Sequence, residues 1–196
     1  MPIIRLADCP AMPWKNGMGR TRELAVHPSK SGMDDFLWRV SIAEVESATP
    51  FSAFPGIDRV IALLSGNGFT MAMSDGRRHA LTTPYLPFAF PGETGVDVTL
   101  AHGPSRDFNL MVRRDHARGG IEAWHGAGTR HPDTSIVLVH CARGMVDTCE
   151  GTLREGDAWR PGSGTLVLRG DAVALAVRVE PHHPAESHLH SAIRSR

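Results

Sequence analysis

Cysteine is scarce in this chain, with three in 196 residues, at positions 9, 141 and 149. An odd number without CxxC spacing excludes a disulfide framework and a zinc ribbon, so the thiols read as buried or idle. If residues 142–145 turn a hairpin, Cys141 and Cys149 stand too unequally about it to face each other, and no bridge is expected. An excess of one charge is missing too. Twenty-one Lys and Arg balance twenty-one Asp and Glu, leaving no global field to draw the chain to nucleic acid or an acidic membrane. No run approaches eighteen apolar residues, and residues 1–6 carry no apolar signal-peptide core, so the expectation is a cytoplasmic protein without a membrane partner. A G-x-S-x-G elbow and a phosphate-binding loop are absent. His27, His79, His116, His125 and His131 are scattered and form no triad with a Ser or Cys.

Turns and short alternating runs are plentiful. Twenty glycines, fourteen prolines and 41% hydrophobic residues describe a turn-rich globular chain. Phe36, Trp38, Val40 and Ile42 share one face of an alternating run, with Arg39 and Ser41 on the other. Residues 60–64 are apolar on both faces, as in a strand buried between layers. Turn signals at 65–68 and 74–76, then strands at 88–90, 96–100 and 108–113, predict an all-β sandwich or barrel. The second half replays this layout at an offset of roughly 75 residues. Residues 136–140 correspond to 60–64, Gly144 to Gly68, Gly151 to Gly76, and 172–176 to 96–100. Two similar β-units follow from this, although glycine-turned hairpins also align readily by chance. Residues 115–133, rich in Gly and His with Trp124 as one large anchor, show poor periodicity and read as a connector between the units.

The densest chemistry lies at residues 13–23, which hold Trp14, Lys15, Asn16, Gly17, Gly19, Arg20, Arg22 and Glu23. Trp14 can bury a wide apolar face, and the glycines admit backbone geometry that a Cβ blocks. The segment reads as a functional loop or as a tight turn stapled by Trp14. Asp107, Asn109 and Arg113 alternate with Phe108, Leu110 and Val112, and Arg39 and Ser41 give a second polar strand face. If these faces meet inside a small barrel they form a ligand cup; if they face water they are ordinary exteriors. Arg59, heading an apolar strand, either serves such a cup or pairs with Asp58 or another carboxylate.

The runs Pro-Trp-Lys-Asn-Gly-x-Gly-x-Thr-Arg-Glu at 13–23, Trp-Arg-Val-Ser-Ile-Ala at 38–43, Pro-Phe-Ser-x-Phe-Pro-Gly-x-Asp-Arg at 50–59 and Asp-Phe-Asn-Leu-Met at 107–111 resemble the HutD/Ves family. They span most of the first 115 residues, and the second half matches in outline. Met18 stands where the family loop has its middle glycine. The resemblance implies a bicupin, two cupin-like β-barrel units in one chain; the residues divide it into 1–115, 116–180 with the connector, and a polar His-containing tail at 181–196 where disorder is expected. It also implies a role in bacterial histidine utilisation, with binding of an intermediate such as N-formylglutamate and restraint of the pathway. Metal-using cupins resemble one another in an HxH pair, a downstream Glu and a later His. No such set occurs on the strands; His102 lacks partners, and His188-Leu189-His190 lies with His182 and His183 near the tail. No metal and no cofactor are expected.

The expected function is therefore metal-free binding of a small anionic metabolite. Lys15 and Arg59 would take carboxylates, with Arg39 forming a bidentate fork if it points inward. Asn16, Ser41 and Asn109 would read amide or formyl groups, Trp14 would wall the pocket, and Gly17 and Asp107 complete the candidate ligand set. A different class is a metal-independent hydrolase or isomerase acting on an acylamino acid, with Asp107 as base and Lys15 as electrostatic stabiliser. A third is an interaction module whose units pack as a homodimer.

Overall fold

A computed structural model of the chain describes residues 3–14, 16–162 and 164–182. Lys15 and the tail from 183, with His183, His188 and His190, lie outside the described residues. In chain order the first strands are β1 (Ile3–Ile4), β2 (Ala11–Pro13), β3 (Gly19–His27), β4 (Trp38–Val45), β5 (Thr49–Phe51), β6 (Ile57–Ser65), β7 (Phe69–Met73), β8 (Arg78–Leu81), β9 (Phe88–Pro91), β10 (Val96–Leu100) and β11 (Ser105–Arg113). Those following are β12 (Ala117–His125), β13 (Gly128–Arg130), β14 (Ile136–Arg143), β15 (Met145–Thr148), β16 (Gly151–Arg154), β17 (Ala158–Trp159), β18 (Leu166–Leu168) and β19 (Val173–Pro181). Apart from a 3-10 turn at Leu6–Asp8, the described residues contain no helix, and the chain is all-β.

The strands form four open sheets. Six strands run β2-β3-β4-β11-β6-β9 and four run β5-β10-β7-β8; a five-stranded sheet runs β1-β17-β14-β19-β12 and another four run β13-β18-β15-β16. One pairing scheme occurs twice. β11 lies between β4 and β6 as β19 lies between β12 and β14, and β7 lies between β10 and β8 as β15 lies between β18 and β16. The duplication legible in the sequence is therefore present in the topology, with one correction. Residues 172–176 fall at the start of β19, the counterpart of β11, whereas the counterpart of β10 is β18. The offset shrinks along the chain because the second half has shorter loops.

A second correction concerns residues 115–133. They are no irregular connector: β12 pairs along its full length with β19, from Ala117↔Pro181 to His125↔Val173. Its alternation is hidden because Gly119 and Gly120 interrupt it, Gly119 where the sheets meet and Gly120 on the opposite, open face. A Cβ on Gly119 would stand 2.4 Å from Val112 Cγ2, so glycine permits the close approach. Phe36 also departs from expectation. It precedes β4 and packs with Ile57 and Met111, away from the Trp38 face.

Strand alternation determines which residues reach which core. Trp38, Val40 and Ile42 of β4, Val60, Ala62 and Leu64 of β6, and Phe108, Leu110 and Val112 of β11 enter one cluster with Leu138, Leu175 and Val177. The six- and five-stranded sheets thus pack through an apolar layer shared by both halves. The alternate residues of β4, β6 and β11 project from the opposite face, toward the β5-β10-β7-β8 sheet. β1 crosses to the second half, with Ile3 opposite Trp159 and the Arg5 guanidinium 2.5 Å from the Asp157 carboxylate.

Candidate functional site

The register of three neighbouring strands assembles the polar residues. On β11, Asn109 lies opposite Ser41 of β4 and Ile61 of β6; Met111 lies opposite Arg39 and Arg59. Asp107 sits one alternation further, opposite Ala43 and Leu63. Since i and i+2 share a face, Arg39, Ser41, Arg59, Asp107 and Asn109 emerge side by side. Together with Trp14 and Asn16 they line a cavity of about 460 Å³. The cavity's apolar wall includes Phe51, Phe54 and Met111.

Arg59 is 8% exposed, and its Nε and Nη2 donate to Asn109 Oδ1 at 3.2 and 3.0 Å. Its guanidinium carbon lies 5.0 to 5.7 Å from the ring centres of Phe90, Phe51 and Phe54, an aromatic enclosure that suits a weakly hydrated cation. Burial lowers its pKa to about 10, with the Asp107 charge opposing and the Arg39 charge assisting, so it remains cationic at neutral pH. Its neighbour Asp58 pairs instead with Arg114 at 2.6 Å. Arg39 also points inward, but its Nε is engaged by Glu23 Oε2 at 2.7 Å, which leaves a fork only partly available.

Asp107 is 1% exposed, and its Oδ2 has no hydrogen-bond partner among the described residues. Burial pushes its carboxyl up to about 7, with Arg59 pulling the other way. Desolvation wins on both members of this pair, because Arg59 directs its hydrogens at a neutral amide and leaves the carboxyl without a donor.

The loop carrying Trp14 closes one side. Trp14 Nε1 donates to Thr21 Oγ1 at 2.8 Å, and its ring meets Phe51 edge-on. Gly17 takes φ +71° and donates its N–H to Trp14 O at 3.0 Å, so it forms the turn and is not among the cavity's lining residues. Gly19 has a more stringent requirement, since a Cβ there would meet Glu44 O at 2.5 Å and the Trp14 ring at 3.0 Å. Asn16 bridges the loop to β5, donating Nδ2 to Thr49 Oγ1 at 2.8 Å while its Oδ1 accepts the Met18 N–H. Met18 itself is exposed.

Sequence reasoning missed Phe51, Phe54 and Thr21 as wall residues, although the two phenylalanines stand within the run 50–59. It also missed His140 of β14, 1% exposed and stacked on Phe108, with burial pulling its pKa down to about 3. Among the described residues no group of three His, Cys, Asp or Glu is placed to hold a metal ion, and the three cysteines are free. No helix among them is long and apolar enough to cross a membrane.

Antiparallel sheets stacked in this way, with a polar cavity facing the smaller sheet, define a cupin-like all-β protein. The fold is similar to a cupin 2 conserved barrel domain protein from Leptotrichia buccalis, with TM-score 0.56 at 7% identity over 82% of this chain and 88% of that one. The HutD family model matches residues 6–182, and the chain belongs to the HutD/Ves family. It is 37% identical over 147 residues to a Pseudomonas putida protein of the hutC 3' region, covering 75% of this chain and 76% of that protein. Protein Ves of Cronobacter sakazakii is 36% identical over 170 residues, 86% of this chain and 92% of that one. The structure of HutD from Pseudomonas fluorescens SBW25 superposes with TM-score 0.81 at 28% identity, over 93% of this chain and 99% of that one.

Proposed function

We propose that the cavity binds a small anionic metabolite, held by Arg59 through a carboxylate and oriented by Asn109, Ser41 and Asn16 through polar groups. The observation that carries this reading is Arg59 itself. It is a buried cation lining a cavity, enclosed by aromatic rings, and its hydrogen bonds among the described residues go to a neutral amide. A buried charge whose hydrogen-bonded partner is neutral is a ready counter-charge for an incoming anion. The family resemblance supports an intermediate of histidine degradation such as N-formylglutamate as the ligand, and restraint of that pathway as the consequence. In this reading the halves are two cupin units and the first one binds. Lys15 lies outside the described residues, and no part of the site is built on it.

Incubation with N-formylglutamate, urocanate and glutamate separately, followed by thermal unfolding, tests the assignment. At least one of the three should raise the unfolding temperature, and Arg59→Gln should remove the effect. No response to any of them sinks the histidine-pathway version, and an unchanged response in Arg59→Gln removes Arg59 from the site.

A metal-independent hydrolase is the second reading, favoured by Asp107, whose carboxyl is poised near neutrality beside the cavity. Mass spectrometry of the same incubations distinguishes the two: a cleaved product supports the enzyme, and a thermal shift with intact ligand supports binding alone.

A further inference from the structure

Asp107 is a cavity residue whose chemistry the anion-binding reading leaves unused. A carboxyl group beside a site for anions is at first sight a defect, since it repels the ligand that Arg59 attracts. The local hydrogen bonding shows how the group is held. Two arginines flank it, Arg59 on β6 and Arg39 on β4, yet neither gives it a hydrogen bond. Arg59 turns Nε and Nη2 to Asn109 Oδ1, and Arg39 turns Nε to Glu23 Oε2. Asp107 Oδ2 is thereby left as a buried acceptor with no donor among the described residues, on a side chain that is 1% exposed and lines the cavity. Its strand fixes this position. β11 is bonded on both sides, to β4 and β6, so the side chain cannot swing out without breaking the central sheet. A buried acceptor left without a donor is unfavourable in the empty site and is complementary to a donor brought by the ligand.

We propose that Asp107 is the specificity-determining residue of this cavity: it accepts an N–H that the ligand carries beside its carboxylate, so the site selects N-acylamino acids and amino acids over plain carboxylates. The inference rests on the reading of the cavity as an anion site and adds the second half of the recognition. Arg59 supplies the charge match common to every small carboxylate. Asp107 supplies the discrimination, because an analogue that puts a lone pair where the N–H belongs meets an acceptor with an acceptor. Sites that are built around one buried hydrogen bond reject the analogue lacking it by large factors, since the protein's own group is then left unpaired.

The test uses the full chain and two isosteric probes, N-formylglutamate and its ester counterpart 2-(formyloxy)glutarate, in which oxygen replaces the N–H. Calorimetric titration of the unmodified protein above pH 8, where the Asp107 carboxyl is ionised and can only accept, should show the ester weaker by about 100-fold or more. In Asp107→Leu the two probes should bind within about threefold of each other, as a site without the acceptor has no means to tell them apart. Should that variant fail to fold, Asp107→Asn carries the measurement. Its amide accepts from N–H or donates to the ester oxygen, so the gap should shrink to about tenfold or less. Equal affinities in the unmodified protein, or a gap that survives in either variant, overturn the role of Asp107 while leaving the anion site standing. Failure of the unmodified protein to bind either probe or glutamate overturns this inference, and failure to bind urocanate as well removes the anion site with it.

Discussion

The two halves use the same strand-pairing scheme and differ in what the central strand of the larger sheet turns toward the smaller one. Where β11 sets Asp107 and Asn109 between its neighbours, β19 sets Ala174 and Ala176 between β12 and β14. Where β6 places Arg59 opposite Met111, β14 places Ile136 opposite Arg178. In the second half the space facing the smaller sheet is taken by Trp159, Val139, Cys141, Val146, Leu166 and the two alanines, all fully or almost fully buried. In the first half Ile61, Leu63, Phe69, Met71 and Val98 fill part of the same space with a comparable apolar cluster, and beside it lies a cavity with polar residues on its sheet side. The second half shows that the scheme can carry Ala174, Ala176, Val139 and Cys141 where the first half has Asp107 and Asn109 and their neighbours, its own arginine, Arg178, being paired with Glu122 and Asp133. The buried Arg59, Asp107 and Asn109 are therefore not demanded by the pairing scheme, and this contrast supports the binding role proposed for them.

This contrast can be tested hardest where the second half is most tightly packed. Trp159 is fully buried between the sheets, so Trp159→Ala should destabilise the protein by about 3–5 kcal/mol, read as a fall in the urea midpoint at unchanged slope. A loss below about 1 kcal/mol would mean that the second half is as loosely filled as the first.

A smaller effect of opposite sign is expected in the first half. Asp107→Leu replaces a buried carboxyl lacking a partner on Oδ2 by the kind of side chain the second half uses, and should stabilise the empty protein by about 1–2 kcal/mol in thermal or urea unfolding. Destabilisation would show instead that the carboxyl holds the fold together.

The most diagnostic effect is the pH dependence of this same difference. The Asp107 pKa is raised from 3.8 to about 7 in the fold, so between those values the native state keeps a proton that the unfolded state has lost. Its contribution to stability is complete below about pH 4 and declines as pH rises through 7. His140 behaves inversely. Its pKa is lowered from 6.5 to about 3, so its contribution is complete above 6.5 and declines as pH falls toward 3. Across the shared window, about pH 4 to 6.5, the two slopes oppose each other. Asp107→Leu should accordingly gain on the unmodified protein as pH rises, by up to about 1.4 kcal/mol per pH unit, when urea unfolding is followed across that window. A difference that does not change with pH places the Asp107 carboxyl outside the buried environment described here.

Much of this organisation was legible in the sequence because strands announce themselves by alternation. Trp38, Val40 and Ile42 against Arg39 and Ser41, and Phe108, Leu110 and Val112 against Asp107 and Asn109, gave both the strands and their two-faced character. Alternation cannot say which face lies inside. That required the packing of β11 against the second half, which turns Phe108 onto His140 and sends Asp107 the other way. Where side chains vanish the signal vanishes, and β12 went unread because Gly119 and Gly120 occupy its middle. The neutral partner of Arg59 was equally hidden, since Asn109 is 50 residues away and only the register of β6 with β11 brings them together. Gly17 drew notice as part of a dense loop, and its place in the turn became visible only with the backbone angles.

The crossing of β1 to the far sheet has a bearing on how the chain is made. Arg5 and Ile3 are synthesised long before their partners, Asp157 lying 152 residues downstream of Arg5. At the usual pace of elongation, about 5–20 residues per second, that separation is a wait of about 8–30 s on the ribosome. During it the cavity-bearing half can assemble β3 to β11 from residues already emerged, while the second half must wait both for its own last strand and for the leading segment to return. The half with the cavity is thus the half whose strands are available first, and the lining of that cavity is complete in sequence before the remainder of the protein exists.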